Sequence, residues 1–551
     1  MGGLNTEKEN LLVQFRTGKT TKSGANSARR RTVVALTLIG LSLLLFNASR
    51  SEIVDNQTQV LAGSENLALD IGIGIDSAPQ APALSLTRFS PTRVDPNGPV
   101  ATRGQWVDPQ SSGAPWETIN STANGLLTFR GNPTRTFHGQ GEVGSTISEK
   151  WSAEIGCANS PVAGIDKVWC GSGWTGQPLV IPSPQQPNDS WVVVGGYNRA
   201  LNFFDPDTGE EVFGKYETGD IIKGTPTADP DGFPLIYTGS RDDHFHIVAL
   251  DQEEPVALWK IEPEQVRSTM WNNDWDSSAL VIDDYLFIGG ENSRFYIVKL
   301  NRSFDEDGNV AVDPQEVFST PSWDSELLDN IGDQEVSIEN SVAISDNTVY
   351  FANSGGLVQG WDIEGLERGV QPTRSFRYWV GDDVDASLVI DDDGHLYLGA
   401  QYQRQTQRSD ERGQIFKLDP ENTQDPVVWS RKVETGDETG VWATPALYED
   451  LVIIPTSDGR VLGLNQDNGA TAWELDHGTT IWSSPVVVDD HLIQADCNGD
   501  ISSYSLNGDA PERIWRHTVT NGDCIESTPA FWNGSIYVGA RNGDFYALAT
   551  S

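Results

Sequence analysis

Between Val441 and Ser551 one pattern is written three times. The copies open on Val441-Trp-Ala-Thr-Pro-Ala, Ile481-Trp-Ser-Ser-Pro-Val and Ile525-Glu-Ser-Thr-Pro-Ala. Each continues through short apolar or alternating runs broken by Asp-Asp, Asn-Gly or Asp-Gly, the dipeptides of two-residue hairpin turns. A further run follows the first two copies, centred on Trp473 and Trp515. Four antiparallel strands per copy, at a period of roughly 40 residues, predict the blade of a β-propeller. The 18 Trp and 54 Gly of the chain suit such an all-β repeat better than a helical fold.

Aligning upstream on the Ser/Thr-Pro of these copies places anchors at Pro178, Pro226, Ala279, Val342, Leu388, Pro445, Pro485 and Pro529, spaced 40 to 63 residues apart. Eight repeats follow. Outer strands are marked by Phe213, Trp259, Phe318, Phe376, Trp429, Trp473 and Trp515, one fewer than the repeats. The last repeat ends at Ser551 without one, while Glu149-Lys-Trp-Ser-Ala-Glu-Ile155 is an unpartnered strand near the start. The expectation is an eight-bladed propeller of four-stranded antiparallel blades, closed by that N-terminal strand with Trp151 completing the eighth blade. Closure removes sheet edges.

The pattern Leu-x-Asp-x-x-Thr-Gly-x-x-x-Trp, carried by Phe204-Asp-Pro-Asp-Thr-Gly-Glu-Glu-Val-Phe213 and Leu464-Asn-Gln-Asp-Asn-Gly-Ala-Thr-Ala-Trp473, resembles the tryptophan-docking repeat of the pyrroloquinoline quinone (PQQ)-like propellers. That superfamily contains quinoprotein dehydrogenases and non-enzymatic, BamB-type assembly scaffolds. Phe129-Arg-Gly-Asn-Pro-Thr-Arg-Thr136 resembles their lead-in. The likeness covers about residues 125–551; it implies the fold and leaves the activity open.

The domain plan reads as a basic tail (1–31), a transmembrane signal-anchor (32–48), a flexible linker (49–115) and the propeller (116–551). Residues 1–31 carry seven Lys or Arg against two Glu. Thr32–Ala48 is uncharged and largely apolar, and follows Arg29-Arg30-Arg31, so the basic flank is expected in the cytoplasm and the propeller in the periplasm or at the cell surface. A cleaved signal is the alternative. The Pro-, Gly- and Ser-rich stretch after it reads as a tether. Net charge is −42, which argues against nucleic acid and anionic lipid as partners of the propeller. Its 11 Lys against 26 Arg suit a salty medium, where carboxylate repulsion is screened.

Four cysteines fall in propeller loops. Cys157 and Cys170 lie between the closing strand and the first blade. Cys497 and Cys524 lie in two loops of blade seven that share one face. Disulfides Cys157–Cys170 and Cys497–Cys524 are expected of an exported domain, the alternative being four buried thiols.

The residue three before each anchor guards one mouth of the channel: Thr175, Lys223, Asp276, Glu339, Asp385, Trp442, Trp482 and Glu526. Asp276, Glu339 and Asp385, backed by Asp274, Glu335, Asp382 and Asp383, are hard oxygen ligands suited to Ca²⁺. Trp442 and Trp482 offer flat faces to a planar ligand, with Lys223 beside them. Under the family resemblance these residues, with Asn340, would loosely stand in for a PQQ–calcium site, matched by ring position and not by motif. The adjacent Cys-Cys pair common in the alcohol-oxidising members is missing, and the loops read as short. The rim is otherwise an acidic surface holding water and counterions.

His244-Phe-His246 places two imidazoles on one strand face, a spacing open to metal but aligned with packing and turn positions of other repeats. The insertion Gln401–Arg412 brings three Arg to an acidic face, as a partner-docking loop or a mobile solvated one. The reading is a protein-binding or assembly scaffold with no covalent chemistry and no required cofactor. One alternative is a PQQ- and calcium-dependent dehydrogenase of alcohols or sugars. A calcium- or glycan-binding sensor is another.

Overall fold

A computed structural model describes residues 125–551 apart from 163, 175, 185–188, 262–269 and 434–438. The described residues form eight antiparallel blades, each running from an inner to an outer strand in chain order. The inner strands are Leu179–Pro182, Thr227–Ala228, Leu280–Ile282, Ala343–Ser345, Val389–Ile390, Ala446–Tyr448, Val486–Val488 and Ala530–Trp532. Blade eight takes its outer strand, Ile147–Glu154, from the start of the chain, with Trp151 opposite Ala547. The closure expected from the unpartnered strand is what the structure has. In blade one the outer strand is only Tyr216–Glu217, and Phe213 lies just before it, stacked 5.1 Å from Trp191. Among the described residues no helix is long and apolar enough to cross a membrane. The expected anchor, 32–48, and the tail and linker around it lie outside the described residues.

The Ser/Thr of the anchors explains why the repeat keeps it. Its hydroxyl accepts the backbone N–H of the equivalent residue one blade earlier: Ser278 to Ser341, Ser341 to Ser387, Ser387 to Thr444 and Thr444 to Ser484, at 2.9–3.1 Å. These bonds stitch neighbouring inner strands where they are too splayed to share a ladder. At the rim, Trp151 Nε1 donates to Pro206 O at 3.1 Å and Trp429 Nε1 to Gln466 O at 2.8 Å, each indole docking on the next blade. Gly209 and Gly469 sit under those two rings. That contact requires glycine, and it accounts for the Thr-Gly and Asn-Gly of the two best-preserved docking motifs. Seven outer strands carry a bulge at the residue before their marker position (Leu258, Val317, Ser375, Val428, Ala472, Ile514, Lys150). Such bulges twist the exposed edges away from flat pairing.

The lead-in, residues 126–140, circles the inside of the ring on the side away from the guard residues and touches every blade. Leu126 bridges Val180 and Leu127 O accepts from Ala228. Arg135 donates to Val342 O and Ser278 O, and Arg130 to Thr444 O. Pro133 O and Thr134 O accept from Ile344 and Ile390. Val487 N–H donates to His138 Nδ1, and Gly139–Gln140 pairs with Phe531–Trp532. Arg130 and Arg135 are wholly buried, and burial pulls both guanidinium pKa values down to about 9. Several of their donors go to main-chain carbonyls of the converging inner strands, and Arg130 Nη1 meets His138 Nε2.

Candidate functional site at the channel mouth

Among the guard residues Lys223, Asp276 and Glu339 come together and Trp442 meets Trp482, and the groups they meet are largely their own neighbours. Lys223 Nζ lies 2.5 Å from Asp276 on the next blade. Asp276, Glu339 and Glu291 bring one carboxylate oxygen each within 4.8 Å of one another. Glu291 comes from the second hairpin of blade three and takes 2.7 Å from Asn272 Nδ2. Burial, then Asp276 and Glu339, push its pKa well above the usual carboxylate range. Burial works to lower the Lys223 pKa, but Asp276, Glu291 and Glu339 outweigh it and hold the ammonium charged. Beside them Arg241 Nε pairs with Asp274 at 2.8 Å, while burial lifts Asp274 to about 6.

Asp385 is not part of this trio. Its carboxylate accepts from Gln401 Nε2, because the inserted hairpin of blade five folds back over it. The insertion is exposed at Gln407 and at Asp410–Arg412, but its first two arginines are engaged within the molecule. Arg404 is nine-tenths buried, donating to Asp333 and to Glu335 on the blade-four side. Arg408 donates to Trp379 O and lies 5.4 Å over the Trp379 ring. Its last residues, Gln407–Arg412, form a short helix. The loops around the mouth are therefore not uniformly short: this insertion, the helix Ser325–Ile331 and the ribbon Cys157–Cys170 all lie on that face.

Trp442 is packed against Trp482, stacked at 5.7 Å and 28°, and against Trp174, which reaches across the mouth from blade one at 5.7 Å. Lys223 Nζ stands 4.7 Å over the Trp174 ring. On the blade-eight side Arg541 holds both oxygens of Glu526 at 3.0–3.1 Å. Thr175 lies outside the described residues.

A PQQ–calcium pair does not fit this arrangement. Through Asp276 the carboxylate trio already holds the Lys223 ammonium where a divalent ion would need bare oxygens. Trp442 meets two indoles where a planar ring would stack. Sequence reasoning missed Glu291, Trp174 and Arg404: each reaches the mouth from a loop, whereas the reading followed inner-strand positions. Their signal was available only as the side chains that a buried carboxylate or indole needs opposite it.

The remaining motifs resolve structurally. His246 is buried, its Nδ1 2.8 Å from Tyr216 Oη and its Nε2 3.1 Å from Asp242, while His244 stays at the turn. Both expected disulfides are formed, Cys157–Cys170 and Cys497–Cys524.

A closed eight-bladed propeller with a mouth lined by carboxylates, cations and indoles is the class that fold and site define. Residues 408–551 match the family model described as outer membrane protein assembly factor BamB. Residues 408–551 are thus similar to BamB-type, PQQ-like repeats. Outer membrane protein assembly factor BamB of Yersinia pestis is 24% identical over 247 residues, 42% of this chain and 58% of that protein, so the match spans under two thirds of the relative. Quinohemoprotein alcohol dehydrogenase from Comamonas testosteroni is similar at a TM-score of 0.53 and 12% identity, over 82% of this chain and 83% of that one. The quinohemoprotein alcohol dehydrogenase ADHIIG from Pseudomonas putida HK5 gives 0.54 and 9%, over 80% and 82%. Likeness to these two structures shows the fold alone.

Proposed function

We propose that the protein is a membrane-tethered, extracytoplasmic scaffold that binds other proteins through its loop face and strand edges, without covalent chemistry. The observation that carries this reading is the 2.5 Å contact of Lys223 with Asp276 at the place where a cofactor cation would sit. The Trp174–Trp442–Trp482 packing supports it in the same way. Similarity to an outer-membrane assembly factor agrees with it. The N-terminal apolar stretch, residues 32–48, supplies the tether in this proposal, and the acidic surface favours basic partners over membranes or nucleic acid.

A quinoprotein reading draws on one observation, the Asp276–Glu291–Glu339 trio. Thermal unfolding of the full chain with Ca²⁺ alone and then Ca²⁺ plus PQQ separates the two. A ligand that binds only the folded state at a hundred times its Kd adds about 2.7 kcal/mol. The scaffold reading expects no shift with either addition. A shift with PQQ that is lost in Glu339→Ala would replace it with the enzyme.

A further inference from the structure

The ribbon Cys157–Cys170 is a mouth element added to the blade pattern, and its two sides are built differently. Inward, Trp169 is buried against Tyr197, with the cations of Lys167, Lys223, Arg241 and Arg541 5.0–5.9 Å from its ring. The disulfide at its base and this indole fix the ribbon to the propeller. On the opposite face Val168 is 61% exposed, and at the ribbon's tip Ile165, which alternates onto the Trp169 face, is 54% exposed, the highest values among the large apolar side chains of the described residues.

The two strand edges differ as well. On Cys157–Val162, the carbonyls of Asn159 and Pro161 accept from the Arg199 and Arg241 guanidiniums, and Pro161 has no N–H to offer. That edge is blocked. Because those two carbonyls point out of the ribbon, it is Ala158, Ser160 and Val162 that bond across, to Trp169, Lys167 and Ile165. Asp166 and Val168 therefore turn their N–H and C=O groups outward, and among the described residues no main-chain group bonds to them. Pre-formed, stapled and carrying neither Pro nor bulge, this edge lacks the devices that the outer blade strands use.

We propose that the Ile165–Cys170 edge takes an extended segment of a partner protein as a third strand. This rests on the scaffold reading and specifies what the scaffold grips. Main-chain bonds to Asp166 and Val168 supply affinity, and side chains on the outward face supply selectivity. The segment that fits carries an aliphatic residue beside Val168 and, two positions away on the same face, a Lys or Arg beside the exposed Asp166. A second copy of this chain fits poorly, since each brings a net charge of −42.

The test titrates the full chain with a fluorescein-labelled ten-residue peptide alternating threonine with valine and lysine, followed by anisotropy and by hydrogen exchange at Asp166 and Val168. Saturable binding is expected, with slowed exchange at both amides and at least a tenfold loss in Val168→Pro, which removes one outward donor. Asp166→Lys leaves the backbone intact; it should weaken the lysine peptide and favour the same peptide with glutamate in its place. Binding that ignores both variants, no saturation up to about 1 mM, or a dimer that Val168→Pro dissolves would each overturn the proposal. In-cell crosslinking keeps the two readings apart. Partners captured equally by the wild-type chain and by Val168→Pro leave the scaffold standing without this edge, whereas a wild-type chain that captures none removes the scaffold itself.

Discussion

An ammonium 2.5 Å from a buried carboxylate decides what else can bind beside it. Lys223→Met would leave Asp276 without its counter-charge next to Glu339, and losing one member of a buried pair costs about 3–5 kcal/mol. We expect the thermal midpoint of this variant to fall and to recover in millimolar Ca²⁺, while the wild-type midpoint ignores the ion. A variant that gains nothing from Ca²⁺ would mean the trio is not a cation site even when vacated. Gly209 shows the same dependence on one atom. A Cβ there would meet the Trp151 ring at 2.6 Å, at a backbone φ of +73°. Gly209→Val should cost about 1–3 kcal/mol by overpacking, read by denaturant midpoint, and the loss falls on the seam between blades eight and one.

At the scale of elements, the lead-in supplies a pH dependence of definite sign. Burial, then the Arg130 charge, hold His138 well below its ordinary pKa of 6.5. The folded state keeps it neutral while the unfolded chain takes up a proton, so this stabilisation is present above pH 6.5 and is lost as pH falls below it. His246, lowered chiefly by burial, acts in the same direction. Asp231 and Asp274, both lifted to about 6 by burial, act oppositely. The clean measurement is therefore the difference between the wild-type chain and His138→Gln. The variant should lose less thermal stability between pH 6.5 and 5, and parallel curves would show that His138 does not titrate in folding.

Much of this was legible in the residues. Strands, turns and blade number could be read because each blade repeats the same Ser/Thr-Pro anchor and hairpin dipeptides, and the disulfides because loop position follows from blade count. The mouth was legible only along the inner strands. Glu291 and Arg404 enter from hairpins whose direction is set by the carboxylates they meet, which no local pattern encodes. The circling lead-in was harder still: its partners lie on eight different blades, and each blade offers it only one or a few hydrogen bonds, mostly from main-chain groups.

For the molecule as a whole, both disulfides staple the face that carries the mouth. Each should contribute on the order of 3 kcal/mol to the whole fold if unstrained. Replacing Cys157 and Cys170 with Ser should speed amide exchange in the ribbon ahead of the blades. Equal acceleration everywhere would mean that the ribbon and ring open as one unit.

The circuit of residues 126–140 also sets an order of events. These residues leave the ribosome before any blade, yet their partners include Phe531 and Trp532, almost at the other end of the chain. Until that last blade arrives, Gly139 and Gln140 have no strand to join and the outer strand around Trp151 has nothing to pair with. Growth of the chain thus builds seven arcs of an open ring, and the final blade seats the rim strand and the end of the lead-in in a single late step of long loop closure. A chain stopped short of Ala530 would lose both at once, leaving its earliest residues as the ones most exposed to proteases.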